Sequence, residues 1–371
     1  MIARADVARL CERAPTPESP VLSVYVDVDQ SRAVNLNRGF RTAFESELRR
    51  LERAVDGRDG LHAAAEAVAR RVDGYQPTAR TLAMFADASA GLWWTGELRT
   101  SGRTAVRWEP TPYVRPLIEA LDDHQRYGVV LVGKQRARLF TVFLDEIEEE
   151  REAIAAAEVR HKEASGTDHW RSQMHFQRQD EMHVQWHLGH VAAILAEVAR
   201  ERAFDRVVLA GPTETTSELV RLLPRPLADR VVGALRMPME VAAAEVLHET
   251  LALAGDVERA AERTRTDAVF ERGTTGLERT LAALQQGRAW ILVHAEGFES
   301  AGGECLRCGA LFGPAGGSAC GYCGADLLRL DDLVGRTMAR AVQAGAEVDV
   351  VRGEPAERLR AAGGIGAVLR F

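Results

Sequence analysis

The chain has 371 residues, 46% hydrophobic and 27% charged, enough for two or three domains with cores of their own. A formal net charge of -7 and a pI near 5.9 exclude a protein held on nucleic acid by bulk charge, and leave only local patches for that purpose. No apolar run approaches the roughly 20 residues that span a bilayer, so a membrane is not an expected partner.

The opening Met1-Ile2-Ala3-Arg4-Ala5-Asp6 lacks the basic and apolar regions of a signal peptide, which fits a cytoplasmic protein. Residues 1–125 read as a mixed α+β domain. Val21–Val28 is strand-like. Phe40, Phe44, Leu48 and Leu51 recur at helical spacing within a helix predicted over 34–56. A second helix is expected over 59–73, then strands at 81–86, 91–95 and 105–108. Trp93 and Trp94 are adjacent, so a strand sends them to opposite faces. Asp27 and Asp29 end the first strand, where solvent-facing carboxylates are the ordinary case and a paired-acid role the alternative. Arg32, Arg38 and Arg41 read as a solvated face or as phosphate contacts.

Residues 126–270 form a second unit. Tyr127–Gly133 has the pattern of a buried strand, 137–143 that of a second and 146–152 that of a third. A helix is expected over 174–202, a strand over 204–210, and a helix opening at Thr213 as cap. Strand–helix–strand alternation implies a largely parallel sheet. A further helix is expected near 239–270.

Ahead of the 174–202 helix lies a polar segment, 161–178, that concentrates Gln, His, Arg and one Trp. Six of the ten histidines fall between 161 and 190. Little in the segment can build a core, and a long polar loop before a rigid helix is a typical functional placement; a solvated loop is the plainer reading. His183, His187 and His190 share one helix face, with Asp180 nearby, which is legitimate metal-ligand spacing. There is no H-E-x-x-H, no Walker A, no G-x-G-x-x-G after a strand and no G-x-S-x-G.

Residues 271–371 read as an α/β/α sandwich: helix 276–286, strand 289–294, helix 330–344, strand 347–351, short helix 356–361 and a last strand 367–371. Cys305-Leu306-Arg307-Cys308-Gly309 and Cys320-Gly321-Tyr322-Cys323-Gly324 interrupt it as two C-x2-C-G knuckles, defining a ribbon over 303–326. Two facing knuckles place four thiolates around one tetrahedral Zn²⁺, a closed structural site. Two disulfides are the alternative, and a metal-type pattern with one odd thiol, Cys11, reads instead as a reducing cytosol. Cys11 is expected as a buried free thiol in a helix.

Three stretches resemble the bacterial branch of the archaeo-eukaryotic class 1 release factor and Pelota superfamily. They are Leu22-Ser23-Val24-Tyr25-Val26-Asp27; the two strands from Tyr127 with Ser172-Gln173-Met174-His175-Phe176-Gln177-Arg178 running into His183 and His187; and Gly363–Phe371. The resemblance implies three α/β domains, the last like ribosomal protein L7Ae with an inserted zinc ribbon. It implies that the segment 161–178 approaches the ribosome's peptidyl transferase centre. Gln173 then stands at the glutamine of the Gly-Gly-Gln motif, the position tied to peptide release, although Arg171-Ser172 replace the glycines. Lys162, His169, Trp170, Arg171, His175, Gln177 and Arg178 become contacts to RNA. Stop-codon-reading motifs are absent from 1–125. The expected function is a monomeric factor occupying the ribosomal A site in rescue, quality control or hibernation, with a translational GTPase as a second partner. The alternatives are hydrolytic peptide release through Gln173, and an L7Ae-like interaction protein.

Overall fold

The computed structural model describes residues 4–55, 60–122, 125–143, 146–155, 169–314 and 317–370, with side chains left aside at 122, 151–155 and 169–181. By its contacts the chain forms two units, Met1–Asp123 with Ala261–Phe371, and His124–Ala260. The α/β class and the ribbon inserted in the C-terminal sheet hold as the sequence implied.

The first unit begins with α1 (Arg4–Cys11), β1 (Val21–Asp27), α2 (Gly39–Ala54), α3 (Leu61–Asp73), β2 (Thr81–Asp87), β3 (Leu92–Leu98), β4 (Ala105–Glu109) and α4 (Arg115–Asp122). The strands form an antiparallel sheet in the order β3-β2-β1-β4. Every residue of β1 and β2 is buried, because both faces are covered. Period-2 alternation divides them. Leu22, Val24, Val26, Leu82 and Met84 pack under α2 and α3 with Phe40, Phe44 and Val68. Val21, Tyr25, Ala83 and Phe85 face the other way. Helix α2 starts later than the predicted 34. Arg38 takes a left-handed conformation, φ 58°, and Asn35 is held outside the helix by donating to Asp27 Oδ1 and the Asp29 carbonyl. Trp93 is exposed while Trp94 packs on Phe85, ring centres 5.5 Å apart, as adjacency in a strand requires.

The second unit comprises β5 (Tyr127–Val132), β6 (Arg136–Phe143), β7 (Glu146–Ala155), α5 (His169–Glu201), β8 (Arg206–Ala210), α6 (Thr213–Leu222), α7 (Arg225–Ala228), β9 (Val231–Leu235) and the start of α8 (Ala243–Arg272). The sheet order is β7-β6-β5-β8-β9. It is not largely parallel: β5, β8 and β9 run parallel, whereas β5, β6 and β7 are an antiparallel meander. The short β5–β6 connection permits only a hairpin, which the alternation argument overlooked. Leu188, Val191 and Leu195 of α5 cover one face with Leu219 of α6; Val246 and Leu251 of α8 cover the other. The cap of α6 is Pro212, and Thr213 is its first residue, without a capping side-chain bond.

The chain returns to the first unit through the end of α8, then β10 (Gly273–Thr275), α9 (Leu277–Gln285), β11 (Ala289–Ala295), β12 (Gly302–Cys305), β13 (Leu311–Phe312), β14 (Leu327–Leu330), α10 (Leu333–Gln343), β15 (Glu347–Val351), α11 (Gly353–Ala361) and β16 (Ile365–Leu369). One sheet has the order β10-β16-β11-β15, and the ribbon is β13-β12-β14. Asp332 caps α10 by accepting from Gly335 N–H at 2.9 Å. The C-terminal sheet and the N-terminal sheet share one core. Val7, Leu10, Tyr25, Phe85, Val114 and Leu117 pack in the same cluster as Leu292, Val334, Met338 and Ile365. Arg115 of α4 reinforces it, reaching Asp332 Oδ1 at 3.3 Å and the Phe298 carbonyl at 3.0 Å.

Candidate metal centre and the head of the long helix

The two C-x2-C-G segments fold into matching knuckles. Gly309 N–H donates to the Cys305 carbonyl at 2.8 Å, and Gly324 N–H to the Cys320 carbonyl at 2.9 Å. Both glycines are left-handed, φ 71° and 73°, a conformation that a Cβ disfavours. Cys305 N–H then reaches the Ala310 carbonyl at 2.9 Å, and Cys320 N–H the Ala325 carbonyl at 2.7 Å. These turns bring the four sulfurs within 4.8 Å of one another. The Cys305–Cys323 and Cys308–Cys320 separations are 3.4 and 3.5 Å, far beyond the roughly 2.05 Å of a disulfide. Sulfurs about 2.3 Å from one tetrahedral ion stand under 4 Å apart, so the donor set fits a single thiophilic metal and not two disulfides.

The knuckle amides favour thiolates. Amides of Cys308 and Arg307 bring Cys305 down to about 6. Cys308, despite the Ala310 amide, is pushed up to about 12 by burial and the surrounding sulfurs. Four thiolates repel, and a divalent cation removes that conflict. The ribbon is tied down by a buried bidentate pair, Arg336 of α10 donating to both oxygens of Glu304 at 2.7 Å. Cys11, by contrast, lies buried in α1, its thiol raised to about 12 by burial; the expected free thiol is what the structure shows.

The polar segment divides. Lys162 lies outside the described residues, as does the whole of 161–168. His169, Trp170, Arg171, Gln173, His175, Gln177 and Arg178 lie on the first turns of α5, whose backbone is helical from 169 and not from 174. The backbone places them along successive turns of one helix.

The histidine stripe does not make a metal site. His187 is fully buried, while His183 and His190 are exposed, and His190 stacks on Trp186 with the rings 5.8 Å apart and 8° from parallel. Among the described residues only the four cysteines cluster as potential ligands. Burial holds the His187 pKa below its ordinary value, against the opposing effect of the Arg136 and Gly133 backbone. It is a neutral core residue.

Asp27 and Asp29 are not solvent-facing. Asp29 accepts from Ser101 Oγ and Ser31 Oγ, both at 2.7 Å, and these bonds hold its pKa down to about 2. Asp27 pairs with Arg32 at 2.5 Å. Arg38 is spent on the Asp73 and Tyr75 carbonyls and Arg41 on Asp73. These groups organise the strand end and offer no free acid pair. No helix among the described residues is long and apolar enough to cross a membrane.

Residues 112–255 match the family profile of bacterial archaeo-eukaryotic release factor family 10. Over those residues the chain is release factor-like. The superfamily resemblance drawn from the sequence holds over that stretch, which takes in α4, β5 to β9, and the first part of α8. The cysteine ribbon lies outside it. Among solved structures, an archaeal translation termination factor, aRF1, is similar at 16% identity over 100% of this chain and 99% of that one, with a TM-score of 0.25. A ribosome-bound archaeal Pelota, in a structure with ABCE1, is similar at 13% identity over 100% and 94%, TM-score 0.42. Dom34 of S. cerevisiae, a translation termination-like factor interacting with Hbs1, is similar at 10% identity over 82% and 78%, TM-score 0.42. At these scores the likenesses assign no residue a role. No curated protein matches the chain.

Proposed function

We infer that this protein is a ribosome-binding translation factor of the release factor type, with three domains divided near 125 and 270. In this reading it occupies the A site during rescue, quality control or hibernation. The match over 112–255 is the observation that supports it, because that segment includes the polar stretch at the head of α5. The residues 161–178 then approach the peptidyl transferase centre, with Lys162, His169, Trp170, Arg171, His175, Gln177 and Arg178 meeting rRNA through charge and stacking.

Occupancy is favoured over hydrolysis. Arg171-Ser172 precede Gln173 where two glycines would free the backbone, and the backbone there is helical. A translational GTPase is the second partner and a cytoplasmic location follows from the ribosome. The ion in the ribbon is Zn²⁺, a structural element.

Co-sedimentation with purified 70S ribosomes at physiological salt, followed by imaging, tests the reading. Density in the A site with 161–178 near the peptidyl transferase centre is the expected result. Absence of binding to both empty and stalled ribosomes overturns it. Release of peptide from peptidyl-tRNA, abolished by Gln173→Ala, would instead establish hydrolysis.

A further inference from the structure

Strand β11 is buried at every position except one, Trp290, which is 43% exposed. The exception is built into the backbone. Ala289 pairs with Leu369 and Ile291 with Val368, so Trp290 is the extra residue of a β-bulge. Bulges re-aim side chains, and this one turns a large aromatic out of a core that its neighbours enter.

One guanidinium stands beside that ring, and two more arginines lie at the same end of the sheet. The Arg272 guanidinium lies 6.0 Å from its centroid. Arg370 rests on backbone carbonyls, its Nε on Ala289 at 3.2 Å and its Nη2 on Ala344 and Gly345 at 3.3 Å. Its backbone N–H bonds the Arg288 carbonyl at 2.9 Å, and Arg288 Nε donates to Gln286 Oε1 at 2.9 Å. None of the three arginines ion-pairs with a carboxylate among the described residues, although Arg336, Arg115 and Arg352 of the same unit all do. The acids nearest in sequence or register, Glu271 and Glu347, are exposed and unengaged with them.

We propose that this end of the C-terminal sheet binds single-stranded RNA, with Trp290 as a stacking platform for a base and Arg272, Arg288 and Arg370 as phosphate contacts. An exposed ring beside one guanidinium, at a sheet end where Arg288 and Arg370 also pair with no carboxylate among the described residues, has the chemistry to take a base and its phosphates. It is a surface in a different part of the chain from 161–178, and it does not require the ribosomal reading.

The test is fluorescence anisotropy of the full chain with a fluorescein-labelled oligouridine twelve-mer, titrated between about 50 and 200 mM salt. Trp290→Ala is expected to weaken binding by about 5- to 150-fold, and Trp290→Phe to retain most of it. Each of Arg272→Gln, Arg288→Gln and Arg370→Gln should lower the salt slope by about 0.7, and Glu347→Gln should tighten binding. Thermal melting of the Trp290→Ala protein confirms that it folds. Absence of binding by the wild type, or affinities unchanged in both Trp290→Ala and the triple arginine variant, overturns the proposal. So does equal displacement by polyglutamate, which would mark a protein-docking surface. The assay contains no ribosome, so a failed co-sedimentation beside a Trp290-dependent oligonucleotide affinity sinks the A-site reading alone.

Discussion

His294, fully buried in β11, shows how one residue sets a pH dependence. Burial, and after it the Arg115 charge, brings its pKa from 6.5 down to about 4. It is neutral in the folded protein and in the unfolded chain above pH 6.5, so it adds nothing to the pH dependence there. As pH falls from 6.5 towards 4 the unfolded chain takes up the proton first, and stability falls. The loss amounts to about 3 kcal/mol and is complete near pH 4. Chemical denaturation of the wild type and His294→Gln across pH 4–8 should show the two curves converging on one difference above 6.5 and separating below it; parallel curves would refute the assignment. Glu304 offers a second test at this scale. Removing it in Glu304→Ala leaves the Arg336 guanidinium buried without its carboxylate, at a cost of about 3–5 kcal/mol that urea unfolding will measure. Neither group was recognisable in the sequence, because a histidine inside an apolar run and a glutamate beside a cysteine acquire their roles only from partners distant in the chain.

At the scale of the element, the ribbon was the most legible part of the molecule. Its ligands come in two local pairs, and each knuckle is closed by hydrogen bonds within six residues, so spacing alone specifies it. Cys305→Ser should therefore abolish stoichiometric zinc, measured by metal analysis, and disorder β12 to β14. The amide protection of β5 and β8, which belong to the other unit, should stay as in the wild type in hydrogen exchange; its collapse would contradict the ribbon's independence. Helix α5 was less legible. The Gln, His and Arg residues at its head lack an apolar stripe, and the reading of that stretch as loop followed from this, whereas backbone hydrogen bonding continues the helix to His169. The bulge at Trp290 left no trace at all, since Ala289–Ala295 reads as a uniformly buried strand whichever residue is turned out. The strand β9, Val231-Val232-Gly233-Ala234-Leu235, was also missed, although Pro224, Pro226 and Pro238 punctuate the chain on either side of it.

At the scale of the whole molecule, the joining of the two chain ends into one unit was not readable. Predicted elements identify faces that need cover; they do not say which distant face provides it. The outward residues of β1 and β2, with α1 and α4, find their cover in α10 and the C-terminal sheet. Met338, wholly buried at that junction, reports on the union. Met338→Ala should cost about 2–5 kcal/mol and lower the hydrogen-exchange protection of β1 and of β11 by the same free energy. Loss confined to β11 and β15 would mean that the two sheets open separately.

That shared core also gives the protein a history during its own synthesis. The apolar side of α4, with Leu117 and Ile118, is complete long before its cover exists, because Val334 and Met338 leave the ribosome about 220 residues later, a delay of roughly 10–45 s at ordinary elongation rates. Through that interval the nascent chain carries an open hydrophobic face while residues 124–260 have time to fold between the two halves. The first unit closes only once the last residues are made, so a truncated product lacking α10 would emerge with that face still bare and become a substrate for the chaperones and proteases that recognise it.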